Sequence, residues 1–167
     1  MNMKNIMNNV MPYVDKVKNT VTPLVKKGKQ EALKMNNKTL HDAIVSACAF
    51  TLASRSWGDS SNLVPADAEL GKLYVAVSMI DEVNVFDEEA TKTRLEEYLN
   101  KFKIDFNIAI TGVLATIGKI KSEERNAKLI IRIASDVGGA EKPLDDNGEK
   151  SLRIMRQELG IKADDEE

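Results

Sequence analysis

The sequence predicts an all-α protein, and three observations carry that prediction. Apolar residues recur three and four positions apart in successive segments of the 167-residue chain, which is the spacing of one face of a helix. No segment alternates apolar and polar side chains over the length of a strand. Residues that favour helix ends, such as Asp87 and Gly160, flank several of these segments. We therefore expect a compact bundle of about seven helices.

Charge divides the chain into a basic beginning and an acidic remainder. Residues 1–38 hold eight lysines against Asp15 and Glu31, a net charge of +6, so the total of −2 leaves −8 for the rest. We predict a basic amphipathic helical segment over 1–38, a helical domain over 39–162 and an acidic tail over 163–167. The overall charge is too small to favour nucleic acid as a partner.

The first segment has an apolar stripe and is followed by two predicted helices. The stripe packs on the chain's own domain or, alternatively, faces a partner helix or a membrane surface. Thr22-Pro23 resembles a helix start, Asn36-Asn37 a break, and Thr39 with Asp42 the capping box of the next helix. The stripe is formed by Met3, Met7, Val10, Val14, Val17, Val21 and Leu24.

The later helices are placed by their caps and apolar faces. We expect the domain over 39–162 to fold without residues 1–36, because its apolar faces are enough to enclose one core. The expected helices start at Pro65, at Asp87, at Phe106, after a Ser122 cap and near Gly148, and the last one ends at Leu159 with Gly160 as its C-cap.

Two acidic loops form a weak internal repeat of helix, acidic loop and helix. One follows Ala53-Ser54 and the other follows Ala134-Ser135. Each has a late proline and a glutamate about one turn into the next helix, Glu69 in the first case and Glu149 in the second. The sequence therefore predicts two weakly related halves whose loops emerge at the same end of the bundle.

The carboxylates of these loops have two interpretations that the sequence leaves open. They cap helices, or they bind a hard cation, calcium or magnesium rather than zinc, since all the ligands would be oxygens. The second loop is no EF-hand, because the sixth position counted from Asp136 is Glu141 where glycine is required.

Catalytic motifs are not visible. His41 and Cys48 lie seven residues apart on one helix, too far for a nucleophile–base pair, and we predict a core cysteine and a surface or capping histidine. The main prediction is a non-enzymatic interaction module. The alternatives are a metal-dependent hydrolase using paired carboxylates, which would need more ligands than one histidine and these acids provide, and a metal-free structural adaptor.

Several short segments, in their order and spacing, resemble the tellurite-resistance TerB family. The resemblance covers about residues 39–162, and the basic segment ahead of it is similar to the family's N-terminal extension. It rests on Val85-Phe86-Asp87, on 102–108, on Arg132-Ile133-Ala134-Ser135-Asp136, and on Glu149-Lys150, Arg153-Ile154 and Leu159-Gly160.

The resemblance implies a bundle of two related halves, each with an Asp-Gly turn followed by a glutamate, whose acids form a surface cluster that binds divalent cations. Asp136 and Glu149 match the second half, with a longer turn between them. Glu69 matches the first half, but Arg55 stands at the position of the family's aspartate, and only Asp59 is placed to replace it. With Asp145 added, the candidate metal ligands are Asp136, Glu149, Asp59, Glu69 and Asp145, and we expect weak binding.

The resemblance also implies a cellular setting. Family members are non-enzymatic components of stress-response assemblies, linked to tellurite resistance, phage resistance and colicin tolerance, and some are encoded by phages. The expected partners are other proteins of such an assembly. The expected location is the cytoplasm, with peripheral contact of residues 1–38 with the inner face of the membrane.

Overall fold

The computed structural model describes residues 23–59 and 63–162, with side chains from Asn37 onward. These ranges contain six helices and no strand, which confirms the all-α prediction. The apolar stripe before Pro23 and the tail after Lys162 lie outside the described residues, and the total of seven helices in two halves stays a prediction. The helices are α1 (Pro23–Ser54), α2 (Asp67–Met79), α3 (Glu88–Ile104), α4 (Phe106–Gly118), α5 (Glu124–Gly138) and α6 (Asp146–Leu159).

Helix α1 is the centre of the bundle, and α3, α4, α5 and α6 all pack against it. Every residue from Ala43 to Ser54 is buried, and alanines within this stretch allow neighbouring helices to approach closely. Its buried hydroxyl groups donate to carbonyls of α1 itself, as Thr51 does to Ala47 at 3.2 Å. This stretch is therefore buried on all sides without leaving its hydroxyls unpaired.

The predicted break at Asn36-Asn37 is wrong, because α1 continues through it and Thr39 lies inside the helix. Asparagine in a helix interior costs only about 0.5 kcal/mol relative to alanine, which the packing of the following turns readily offsets. Asp42 does not complete a capping box. Its carboxylate instead accepts from Arg94 of α3 at 2.9 and 3.2 Å, which ties α1 to α3.

Helix caps confirm some predicted starts and shift others. Asp87 accepts from the Ala90 N–H at 2.8 Å, and Gly160 takes a left-handed conformation with φ of 68°, both as predicted. Ser122 does not cap α5, whose N-cap is Glu123 without a side-chain hydrogen bond. Helix α6 begins before Gly148, because Asp145 accepts from the Gly148 N–H at 2.7 Å and so fixes the start at Asp146.

His41 is a core residue, so the prediction of a surface or capping histidine is wrong, whereas Cys48 is buried as predicted. The His41 residue is 3 % exposed, and its ring stacks on that of Phe86 with 4.0 Å between the ring centroids. The Nε2 atom of His41 lies 3.0 Å from the Thr91 hydroxyl. Burial lowers the pKa of His41 to about 4; Asp42 opposes this shift and Arg94 adds to it. The imidazole is therefore neutral in the folded protein at neutral pH.

We expect His41 to make folding stability fall as the solution is acidified from about pH 6.5 towards pH 4. The unfolded state takes up a proton near pH 6.5 but the folded state does so only near pH 4, so at pH 5 the free energy of unfolding should be about 2 kcal/mol lower than at pH 7.5. Urea denaturation across this range measures the effect.

The chain has a single histidine, so the control is direct. His41→Gln removes the titrating group and should abolish most of the pH dependence between 5 and 7, whatever its effect on stability at pH 7.5. A wild-type profile that is flat in this window, or a slope that persists in His41→Gln, would show that His41 is not held neutral by the core.

Candidate functional site

Arg55 connects the ends of three helices. It follows the last residue of α1, and its Nη1 lies 2.5 Å from Oε2 of Glu69 in the first turn of α2. Its Nη2 donates to the carbonyl oxygen of Gly138, the last residue of α5. Arg55 therefore joins the two acidic loops, at the same end of the bundle.

The Glu69 carboxylate is buried inside the protein. The residue is 2 % exposed, and Oε1 accepts from the N–H of Ala66, the N-cap of α2, at 2.8 Å. Oε2 has no hydrogen bond within the described part of the chain, and the ion pair with Arg55 supplies its counter-charge. Burying a negative charge this deeply is costly unless a cation lies beside it, so Glu69 depends on Arg55.

Helix electrostatics favour this arrangement. The carbonyl of Gly138 belongs to the last turn of α5, where no intrahelical N–H is available and the helix dipole concentrates negative charge. The guanidinium of Arg55 meets that charge. Glu69, in the first turn of α2, meets the positive end of its own helix.

Leu144 closes the second acidic loop against two glycines. A Cβ on Gly138 would lie 2.4 Å from Cγ2 of Thr51 and 2.9 Å from Cδ2 of Leu144, and a Cβ on Gly148 would lie 2.8 Å from the same Leu144 carbon. A Cβ at either position would force these side chains to move, so both positions favour glycine. The loop is thereby held against α1, with Asp136 before it and Glu149 after it.

These contacts leave an open groove, which we call the α2–α5 groove. Its larger part has a volume of about 860 Å³. A second hollow of about 380 Å³ shares Asp136 with it and continues along α2 and α5. The larger part is lined by Ala68, Gly71, Lys72 and Val75 of α2, by Ser135, Asp136, Gly139, Ala140, Pro143 and Leu144, and by Glu149 of α6.

Gly71 forms part of the floor of the groove, and the fold does not require a glycine there. It lies inside α2, and a Cβ added to it would meet no atom within 4 Å. Alanine would favour the helix by about 1 kcal/mol. A glycine in this position instead keeps the groove deep and lets another backbone approach.

The groove combines apolar and charged groups. Val75 and Met79 follow each other along α2 and are 54 % and 76 % exposed. The carboxylates of Asp136 and Glu149 line the larger part, together with Lys72. The second hollow adds further charges of both signs, Asp81, Glu82, Arg125 and Arg132. Such a surface has the composition of a protein-binding site with an apolar centre and a polar rim.

Of the predicted metal ligands, the structure brings Asp136 and Glu149 into one groove and places the other three elsewhere. Glu69 points to Arg55, Asp145 caps α6, and the exposed Asp59 does not line the groove. Over residues 37–59 and 63–162, no three or more His, Cys, Asp or Glu side chains gather as a metal-binding group.

Trp57 lies beside the second loop's helix. Its ring is 4.3 Å from Nζ of Lys150, the residue after Glu149, and it also packs at a tilt on Phe50 and Phe106. Its fluorescence therefore reports on the start of α6. His41 and Cys48 are buried and do not line the groove, and burial raises the pKa of the Cys48 thiol well above its usual range.

In the sequence, Arg55 stands out only as a basic residue where an aspartate is expected, and Gly71, Lys72 and Val75 are not predicted as site residues. Two signals were present. In the predicted repeat, Arg55 and Glu69 correspond to Asp136 and Glu149, and their opposite charges indicate an ion pair. A glycine inside a helix is the other signal, because it indicates a close approach when no turn requires it.

Comparison with protein-family models, with curated proteins and with solved structures found no match for the chain. Among the described residues, no helix is both long and apolar enough to cross a membrane.

Proposed function

We propose that the chain is a non-enzymatic interaction module that binds a helix of a partner protein in the α2–α5 groove. The observation that supports this most strongly is the open floor of the groove at Gly71, beside the exposed apolar residues Val75 and Met79. This is the role that the TerB resemblance implies, and a protein of a stress-response assembly is the partner that we propose with it.

The lining of the groove indicates the chemistry of the partner. An amphipathic helix would place its apolar residues over Val75 and Met79, the usual helix-in-groove mode of recognition. Charged side chains of both signs border the groove: Lys72 and Glu149 line its larger part, Asp136 lines both parts, and the second hollow has two acids and two arginines. A partner helix with both acidic and basic residues on its flanks would therefore complement the groove.

We expect Gly71→Gln to abolish partner binding without unfolding the protein. The new side chain would fill the groove, while glutamine favours a helix more than glycine does by roughly 0.5 kcal/mol. The immobilised full chain should retain one or more proteins from a lysate of its native host, and Gly71→Gln should reduce that retention at least tenfold.

Thr93→Gln is the matched control, because it puts the same side chain on an exposed position of α3 that does not line the groove. It should retain the same proteins as wild type. The proposal would be contradicted if Gly71→Gln retained the same proteins as wild type, or if no protein were retained by Thr93→Gln and lost in Gly71→Gln.

A weak divalent-cation site on the Asp136–Glu149 side of the groove is a second proposal. Both carboxylates line one space, and calcium accepts carboxylate oxygens. Lys72 lines the same space and competes with a cation, and Glu69 is engaged by Arg55. Two carboxylates without a third acid make a poor site, so we expect millimolar affinity.

Membrane contact of residues 1–38 stays a prediction.

Calcium should change the fluorescence of Trp57, the only tryptophan, with saturation in the millimolar range. Lys150 packs on the indole and follows Glu149, so a cation at Glu149 alters the surroundings of the ring. Glu149→Gln should weaken the response, whereas Glu158→Gln on the later part of α6 should not. A saturable response that Glu149→Gln leaves unchanged would place the cation elsewhere, and no response to calcium or magnesium would remove this proposal.

A further inference from the structure

We propose that the exposed face of α4 is a self-association surface, on which α4 of a second copy of this chain packs antiparallel. This surface lies on helices α3 and α4 and does not overlap the α2–α5 groove. The inference is therefore independent of the proposed partner binding.

Helix α4 has an outer face without charge. No residue from Phe106 to Gly118 is charged, although one side of the helix is open to solvent. Exposed faces of single helices normally carry charged side chains, which helix α3 shows with its lysines and glutamates. The exposed residues of α4 are Asn107, Ile108, Thr111, Gly112 and Ala115.

An apolar groove runs beside this face, between the second half of α3 and α4. It encloses about 360 Å³, and Tyr98, Phe102, Ala109 and Val113 are among the residues that line it. The two isoleucines at its edge are the most conspicuous side chains, because Ile104 is 85 % exposed and Ile108 is 71 % exposed. Exposed isoleucines next to an open apolar groove indicate a surface that another protein covers.

Gly112 supplies a depression into which a side chain fits. It lies inside α4, lines the groove, and a Cβ added to it would meet no atom within 4 Å. The fold of the monomer therefore does not require glycine here, and alanine would favour the helix by about 1 kcal/mol. Ile108 lies one turn before Gly112. In an antiparallel pair, Ile108 of each copy sits over Gly112 of the other, so the two-fold axis uses the same contact twice.

The charges at the two ends of α4 fit an antiparallel pair. Asp105 caps the beginning of α4, near Lys101 and Lys103 at the end of α3. Lys119 follows the last residue, and Glu158 of α6 lies beside Gly118. With Ile108 over Gly112, position 118 of one copy lies opposite position 102 of the other, so antiparallel packing brings Glu158 towards Lys101 and Lys103 of the second copy.

The size of the surface predicts weak association. Helix α4 has 13 residues and is therefore about 20 Å long. Together with the adjoining end of α3, the contact would bury roughly 400 Å² on each copy, about half of what each subunit of a stable dimer buries. We expect a dissociation constant on the order of 100 µM, since small interfaces give weak, transient complexes.

Sedimentation equilibrium of the full chain tests this proposal. Between about 10 and about 500 µM, the average mass of wild type should rise from 18.5 kDa towards, and not beyond, that of a dimer. Gly112→Gln should raise the dissociation constant at least tenfold, because the side chain fills the depression that Ile108 enters. Glu158→Lys should raise it severalfold, because it turns the attraction to Lys101 and Lys103 of the second copy into repulsion. Thr93→Gln on α3 should associate as wild type does.

Thermal unfolding of Gly112→Gln, expected at or above the wild-type temperature, separates lost association from lost folding. A wild-type protein that stays monomeric at the highest concentration would overturn the proposal. Association that Gly112→Gln leaves unchanged, or growth beyond a dimer, would also overturn it. A monomeric protein that binds anionic vesicles, and loses this binding in Gly112→Gln, would assign the face to a membrane instead.

Discussion

The ion pair of Arg55 with the buried Glu69 is the constraint on which the candidate site depends. A carboxylate that is 2 % exposed needs a counter-charge, and Arg55 is the cation that the structure places beside it. The same guanidinium also meets the free carbonyl of Gly138 at the end of α5. This link joins the end of α1 to the beginning of α2 and to the end of α5, and these are the two helices that form the α2–α5 groove.

This constraint also determines which carboxylates remain for ligands. In the first acidic loop, Arg55 and Glu69 neutralise each other inside the protein. In the second loop, Asp136 and Glu149 both remain on the groove surface. The first pair therefore serves the fold and the second is available for binding.

The sequence predicted the helices well and the site incompletely, for physical reasons. Period and caps are local signals, so Asp87, Gly160 and the apolar faces could be recognised directly. The continuity of α1 through Asn36-Asn37 was not predictable in this way, because it depends on packing around the turns that follow. The burial of His41 depends on Phe86 and Thr91, which are distant in sequence. Gly71 and Gly112 were visible as helix glycines, but only the structure shows that space, and no neighbouring atom, lies where a Cβ would be.

A double-mutant cycle on Arg55 and Glu69 tests the central claim most directly. Urea denaturation of wild type, Arg55→Met, Glu69→Gln and the double variant gives the four free energies of unfolding. Arg55→Met should cost about 3 kcal/mol, because it leaves a buried carboxylate without its counter-charge. In the double variant that carboxylate is gone, so the loss should be smaller than the sum of the single losses by about 1–3 kcal/mol. Additive losses, or a cost of Arg55→Met below about 0.5 kcal/mol, the usual size of a surface substitution, would show that this ion pair does not hold the loops together.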